Sequence, residues 1–196
     1  SMEPRMSDND RLSSKDALAL ANIGGDALGP LLEKAAALRD SGHGDIVSYS
    51  RKVFIPLTQL CRDVCHYCTF AKAPKKLKRA YMTPDEVLAI ARAGQAAGCK
   101  EALFTLGDKP ELRYGQARKE LQELGFETTL EYLSHMAQLV LQETGLMPHI
   151  NAGVMTGDEI AMLKGVSISQ GLMLESSAER LSEKGGPHFG SPDQEP

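Results

Sequence analysis

The sequence predicts an α/β protein of about four strand–helix units after an N-terminal helical segment. Three observations carry this. Short apolar runs recur at "EALFTLG" (101–107), "HINAGV" (149–154) and "SISQGLMLE" (167–175), each fit for a buried parallel strand. Helical patterns separate them. Helix starts then carry one shared signal: Thr83 with Glu86, Thr128 with Glu131, Thr156 with Glu159 and Ser176 with Glu179 each match the capping box, in which hydroxyl and carboxylate satisfy orphaned backbone N–H groups.

In chain order, residues 1–13 are polar and expected to be disordered. From Ser14 to Arg39 the pattern reads as two short helices, interrupted at Gly24-Gly25 and again near Pro30, and "SGHGD" ends them. "IVSYSRKVFIPL" (46–57) is rich in β-branched and aromatic residues and reads as extended chain. The helix at 128–144 places Leu130, Leu133, Ala137, Val140 and Leu141 on one face, the pattern of packing against a sheet. "EKGGPHFGSPDQEP" (183–196) is loop-like, so the expected domain covers 14–182 with a tail after it. Strand, loop and helix in fourfold alternation imply crossover connections. That order fits either an open doubly wound sheet or half of an eight-stranded barrel.

Composition narrows the partners. The net charge of −4 gives no global basic field for nucleic acid. No apolar run approaches the roughly 20 residues of a membrane span, and the polar N-terminus lacks an apolar signal core, so a cytoplasmic home without membrane or nucleic acid is expected. "KAPKKLKRA" (72–80) reads as a solvated charged loop. Gly24-Gly25 is no phosphate loop, since no strand precedes it and no lysine follows.

The chemistry sits in "LTQLCRDVCHYCTFA" (57–71), which holds Cys61, Cys65 and Cys68 with gaps of three and two residues. Clustered cysteines in a cytosolic chain bind metal or act in redox chemistry more often than they form disulfides. Structural zinc wants four protein donors. Here the fourth would have to be His66, strained between two cysteines, or Cys99, which reads as a small buried hydrophobe, or a distant histidine. An iron–sulfur cubane needs only three thiolates to leave one iron open, whereas electron-carrier ferredoxins fill all four positions. The spacing therefore favours a cluster that does chemistry on a bound molecule over zinc or a disulfide. His43, His135, His149 and His188 have no partner spacing; His149, just before a strand, could sit in a barrel mouth.

"CRDVCHYC" resembles the C-x3-C-x-aromatic-C motif of the radical S-adenosylmethionine enzymes, with Tyr67 as the aromatic residue. The resemblance implies a partial (β/α) radical SAM, TIM-like barrel. It implies that Cys61, Cys65 and Cys68 hold a 4Fe-4S cluster whose open iron chelates the amino and carboxylate groups of S-adenosyl-L-methionine. One-electron cleavage of that cofactor yields a 5′-deoxyadenosyl radical that takes hydrogen from substrate. "KEALFTLGDKPE" (100–111) resembles the family's glycine-rich segment at the methionine amino group, which would make Gly107, Asp108, Lys109, Pro110 and Glu111 cofactor-binding. "PHINAGVM" (148–155) and "GLMLESSAERL" (171–181) resemble the third and fourth strand ends. Asn151 would face the substrate side, and Glu175, Ser176 and Arg180 would contact S-adenosylmethionine.

Over positions 15–193 these stretches resemble the branch of 7,8-didemethyl-8-hydroxy-5-deazariboflavin synthases, in particular the first half of the fused actinobacterial form. That branch implies a lyase. A hydroxybenzyl–ribitylaminouracil adduct is oxidised, closed into a third ring and relieved of ammonia, with an electron donor protein as partner. The partner synthase of that pathway, or a biotin-synthase-like enzyme, is the alternative from the same chemistry; "TLGDKPE" speaks against both. Two departures are small: Ala152 stands where proline is expected and Gln194 where lysine is expected. The larger one is length. About four strands make half a barrel, so the expectation is a fragment, a half completed by another chain or domain, or an inactive remnant holding a cluster or zinc without turnover.

Overall fold

The computed structural model describes residues 12–192. These divide between Tyr49 and Ser50 into two compact units.

The first unit is helical. Helix α1 (Ser14–Leu20) is capped by Ser13, whose hydroxyl accepts the Asp16 N–H at 3.1 Å. Gly25, at φ 55°, makes the turn into α2 (Leu28–His43). The break expected at Pro30 does not occur. Pro30 stands in the first turn of α2, where a backbone N–H has no intrahelical partner to lose. The helix also runs through Ser41 and Gly42 and stops only at Gly44, at φ 57°. Neither helix contains a buried residue.

The second unit is built on one parallel sheet of β1 (Lys52–Pro56), β2 (Glu101–Thr105), β3 (Met147–Asn151) and β4 (Ser169–Gln170), neighbours in sequence order. That order decides between the two architectures left open. A doubly wound sheet reverses its strand order part-way, whereas a barrel wall adds each strand beside the last. Helices α3 (Pro84–Ala96), α4 (Gly115–Leu124), α5 (Thr129–Thr144) and α6 (Gly157–Lys164) fill the connections.

Alternation along the strands sends Ile55, Ala102, Phe104 and Ile150 into the buried layer beneath the helices. The opposite, inner face then carries Phe54, Leu103 and His149, with Thr105 beside Asn151 one step higher. Three of the four capping boxes form, at α3, α5 and α6. The fourth does not. Ser176 accepts the N–H of Ala178 instead, and Glu179–Leu181 is a single 3-10 turn. The strand expected over 167–175 shrinks to Ser169–Gln170, because β4 is an edge with one hydrogen-bonded neighbour among the described residues.

The buried face of α5 is rotated from its expected position. Leu130, Leu133, Ala137 and Val140 are buried as expected, but Leu141 is 40% exposed and Tyr132 and Met136 take the shielded side. The cause is aromatic: the Tyr132 ring packs edge-on to Tyr81 at 5.9 Å and against Phe126 at 5.2 Å, and its hydroxyl donates to the Met82 carbonyl at 2.6 Å. No helix among the described residues is long and apolar enough to cross a membrane.

Two outcomes follow for stability. A Cβ at Gly94 in α3 would lie 2.5 Å from the Val53 Cβ on β1. Gly94→Ala should therefore cost about 1–3 kcal/mol by overpacking, read as a melting temperature lowered by about 2–4 °C per kcal/mol. The Thr83 N–H holds the Glu86 carboxyl below its ordinary range, and Lys52 and Ser50 do the same for Glu101. A carboxylate depressed in the folded state stabilises above its unfolded pKa and loses that contribution as pH falls through the folded value. Urea midpoints should thus hold near neutrality and decline below the ordinary carboxylate range, less steeply in Glu101→Gln.

Candidate cluster and cofactor site

The cysteine loop leaves β1 at its C-terminal end, and the backbone of the neighbouring strand end fixes its path. Leu57 and Leu60 are fully buried anchors. The Thr58 hydroxyl donates to the Ala80 carbonyl at 2.7 Å and accepts the Leu60 N–H at 3.1 Å. From the end of β2, the Gly107 N–H donates to the Thr58 carbonyl at 3.0 Å, and the Arg62 N–H returns a bond to the Asp108 carbonyl at 2.9 Å. Arg62 Nε donates to the Asp108 carboxylate at 2.5 Å, an ion pair with the carboxylate almost fully buried. Gly107 has no room for a side chain, since a Cβ there would lie 1.8 Å from the Leu60 carbonyl oxygen. Gly153, at φ 81° after β3, likewise meets Asp108, with a Cβ placed 2.4 Å from Oδ1.

All four cysteines are free thiols. Each sulfur of the trio has a hydrogen-bonding neighbour. Cys61 Sγ accepts the Asp108 N–H at 3.2 Å, Cys68 Sγ accepts the Ala71 N–H at 3.4 Å, and Cys65 Sγ lies 3.6 Å from Ser191 Oγ. Burial pushes the Cys61 thiol up to about 11 and raises that of Cys65, so both are protonated at neutral pH without metal. Metal binding would displace those protons.

The three cysteines line one cavity of about 330 Å³. Of the residues expected at the cofactor, Tyr67, Gly107, Asp108, Asn151, Glu175 and Ser176 line it too. Phe70, Leu106, Val154 and Leu172–Leu174 make its apolar share. Lys109, Pro110, Glu111 and Arg180 stand elsewhere. Lys109, at φ 28°, donates to Glu159 at the start of α6 at 2.8 Å. Pro110 and Glu111 form a buried 3-10 turn, and the Glu111 carboxylate accepts both the N–H (3.1 Å) and the hydroxyl (2.5 Å) of Thr129. It thus satisfies the first turn of α5, where a helix favours negative charge. Arg180 belongs to the single 3-10 turn.

Zinc and an open cluster make different demands on the donor set. A lone zinc ion holds four donors at about 2.0–2.3 Å, and among the described residues no three His, Cys, Asp or Glu side chains are gathered around such a point. Cys99 precedes β2, at the end of the sheet opposite the loop, and His66 lines a separate hollow with Gly185–Pro187 and Phe189. Three thiols that line one cavity with no fourth cysteine and no histidine in its lining fit a cluster with one open iron. His149 is not at the mouth. It faces the inner side two residues below Asn151, where its Nδ1 meets the Ser169 hydroxyl.

Two residues that sequence reasoning passed over, His188 and Ser191, are buried beside the cysteine loop. Only their turn-rich setting, "GGPHFGS", marked them, and nothing local says that such a segment folds back by more than a hundred positions. A larger cavity, about 430 Å³, lies between the end of β1, the 77–82 loop and α3 and contains none of the candidate residues.

The family model described as the radical SAM superfamily matches residues 55–187, from β1 to the returning tail. The chain belongs to the radical SAM superfamily. Among curated proteins it is 52% identical to the FO synthase of Nocardia farcinica, over 98% of this chain and 23% of that protein. It is 46% identical to the 7,8-didemethyl-8-hydroxy-5-deazariboflavin synthase of Methanopyrus kandleri, over 77% of this chain and 45% of that one. It thus spans about a quarter to a half of the length of these relatives. Among solved structures, the FeFe-hydrogenase maturase HydG of Carboxydothermus hydrogenoformans has the same fold over 94% of this chain and 39% of its own, at TM-score 0.70 and 23% identity. The partial radical SAM barrel expected from the cysteine motif agrees with this fold, four parallel strands in barrel order. Of the two departures noted, Ala152 is buried just after β3, and Gln194 lies outside the described residues.

Two substitutions separate the site from its scaffold. Gly107→Ala should displace the cysteine loop and abolish cluster assembly, measured as iron and sulfide per chain after anaerobic reconstitution. Glu111→Gln should cost about 1–3 kcal/mol in urea unfolding, as expected for a buried charge-assisted pair, while leaving iron content unchanged. Loss of cluster in Glu111→Gln would instead put that carboxylate at the cofactor.

Proposed function

We propose that this chain carries the cluster half of a radical lyase that forms a deazaflavin chromophore. The substrate would be a hydroxybenzyl–ribitylaminouracil adduct, closed into the third ring with release of ammonia. One observation carries the reading: three free thiols, with no fourth cysteine and no histidine in the lining, share a cavity with a glycine-tight strand end, in a radical SAM chain half identical to FO synthases.

Cys61, Cys65 and Cys68 would hold the 4Fe-4S cluster. With S-adenosylmethionine bound, that cluster would supply radical chemistry through one-electron cleavage of the sulfonium bond. The chain's own share is placement and shielding. Gly107 lets the backbone approach without a side chain in the way. Asp108 turns its backbone N–H to Cys61 while its carboxylate is engaged by Arg62, so its role is to fix the loop. Glu175, Ser176 and Asn151 are the polar groups of the cavity fit for the amino, carboxylate and ribose groups of the cofactor, and Tyr67 flanks them. Leu172, Met173 and Val154 give an apolar wall that would keep water from a reactive radical. Lys109, Pro110 and Glu111 act through the scaffold, by the Glu159 and Thr129 contacts. Free thiols and a reducible cluster suit a reducing cytoplasm and an electron donor protein.

A second reading has its own support. The chain spans 23% of its Nocardia relative, and its described sheet has four strands. Four parallel strands are half of an eight-stranded barrel wall, so a chain that binds the cluster and completes catalysis with further strands is the second reading.

Anaerobic reconstitution should give a brown protein with about four irons per chain, and Cys65→Ala should lose them. Reduced protein should then release 5′-deoxyadenosine from S-adenosylmethionine and, given the adduct, a fluorescent deazaflavin. Cluster without deoxyadenosine selects the second reading. Tightly held zinc with no iron uptake overturns both.

A further inference from the structure

The tail after Leu181 turns back on the cysteine loop and touches it at four points. The Pro187 carbonyl accepts the His66 N–H at 2.9 Å. His188, 4% exposed, places Nε2 at 3.2 Å from the Tyr67 hydroxyl, with the rings 5.6 Å apart. Gly190, at φ 82°, brings the backbone so close that a Cβ would lie 3.2 Å from Val64 Cγ2. Ser191, fully buried, accepts the Val64 N–H on Oγ at 2.9 Å and lies 3.6 Å from Cys65 Sγ. The segment is braced from behind, by His188 N–H to the Leu181 carbonyl at 3.0 Å and Ser191 N–H to the His188 carbonyl at 2.9 Å.

The Ser191 contact has a definite polarity. A hydroxyl has one proton and two lone pairs. The Val64 N–H can only donate, so it takes a lone pair and leaves the Ser191 proton available. Ionised Cys65 can only accept. Cys61 and Cys68 receive backbone N–H groups, which no side-chain substitution removes. Cys65 alone of the trio is served by a side chain.

We propose that Pro187–Ser191 is a strap that positions the cysteine loop, and that the Ser191 hydroxyl donates a hydrogen bond to the Cys65 thiolate and tunes the cluster held there. The tuning part rests on the cluster reading above; the strap does not. A hydrogen bond to a ligand sulfur stabilises the more negative, reduced cluster, so it raises the reduction potential. Ser191 and His188 are positioning residues in this scheme.

The experiment has two arms, both on the full chain. Without metal, amide hydrogen exchange is followed in peptides covering 62–68. Ser191→Ala should speed exchange there several-fold, Ser191→Thr should not, and peptides of α5 should be unchanged in both. Unaltered exchange in 62–68 overturns the strap. Where Ser191→Ala fails to fold, His188→Phe, which keeps a ring but drops the bond to Tyr67, is read by the same exchange. With cluster, redox titration followed by electron paramagnetic resonance should give Ser191→Ala a more negative midpoint at unchanged iron content, restored by Ser191→Thr. Equal midpoints in wild type and Ser191→Ala overturn the donor assignment. A wild-type chain that takes up no iron refutes the cluster reading, and with it the tuning, while the exchange arm still decides the strap.

Discussion

The structure depends on one close crossing. The cysteine loop passes over the end of β2 at a separation that leaves no volume for a side chain on Gly107, and four polar links exchanged between 58–62 and 107–108 hold it there. Each link satisfies a group that would be costly to bury alone. The Asp108 carboxylate illustrates the balance: its burial is tolerable because Arg62 arrives from the loop itself. Loop and strand end therefore form one polar unit at Cys61, while the rest of the loop is held by the Cys68 N–H on the Cys65 carbonyl at 3.0 Å and by the returning tail at Val64 and His66.

A second polar centre carries that order outward. Glu111, immediately beyond the crossing, receives the N–H and hydroxyl of Thr129 at the start of α5, and the Tyr81 hydroxyl, 2.6 Å from the Thr129 hydroxyl, is then the donor in that pair. Tyr81 stacks edge-on with Tyr132, which reaches the Met82 carbonyl. The β2 end, the 80–82 segment and α5 are thereby locked through buried groups whose partners are all accounted for. Acidic residues read from sequence as cofactor ligands can equally be the pins of such a lock, and position in a motif does not separate the two.

That distinction marks where the sequence stops being informative. Strand positions, three capping boxes and the cysteine trio were legible because each is written locally: a short apolar run in "EALFTLG", Thr-x-x-Glu at helix starts, and thiols within eight positions. The failures are of another kind. Leu141 misses the core because aromatic rings from two other segments rotate α5, Ser176 finds a nearer N–H than its box partner, and Pro30 falls on the one turn that tolerates it. His188 and Ser191 return from more than 120 positions away, a loop closure that spacing does not encode. The sheet order was left open for the same reason, since strand adjacency is set by tertiary packing.

The inner face of the sheet separates the chemistry of the cavity from what lies below it. Two residues beneath Asn151, about 7 Å along a strand, His149 is bound through Nδ1 to Ser169, and burial, then the nearby Lys52, lowers its pKa. It is therefore neutral at physiological pH. Lys52 is in turn paired with Glu101, which also accepts from Ser50 at 2.5 Å. Charges on this floor are matched within it, so they project little net field up to the sulfurs. The floor also offers no unpaired carboxylate to compete for metal. The ionisable groups of the cavity stand above it, on the cysteine loop at Asp63, on the strand ends and on the segment 172–176 that follows β4. The cysteines stand on a loop rather than on a strand because only at the strand ends does the backbone have both the freedom to bring three sulfurs to one cavity and a rigid sheet beneath to hold them.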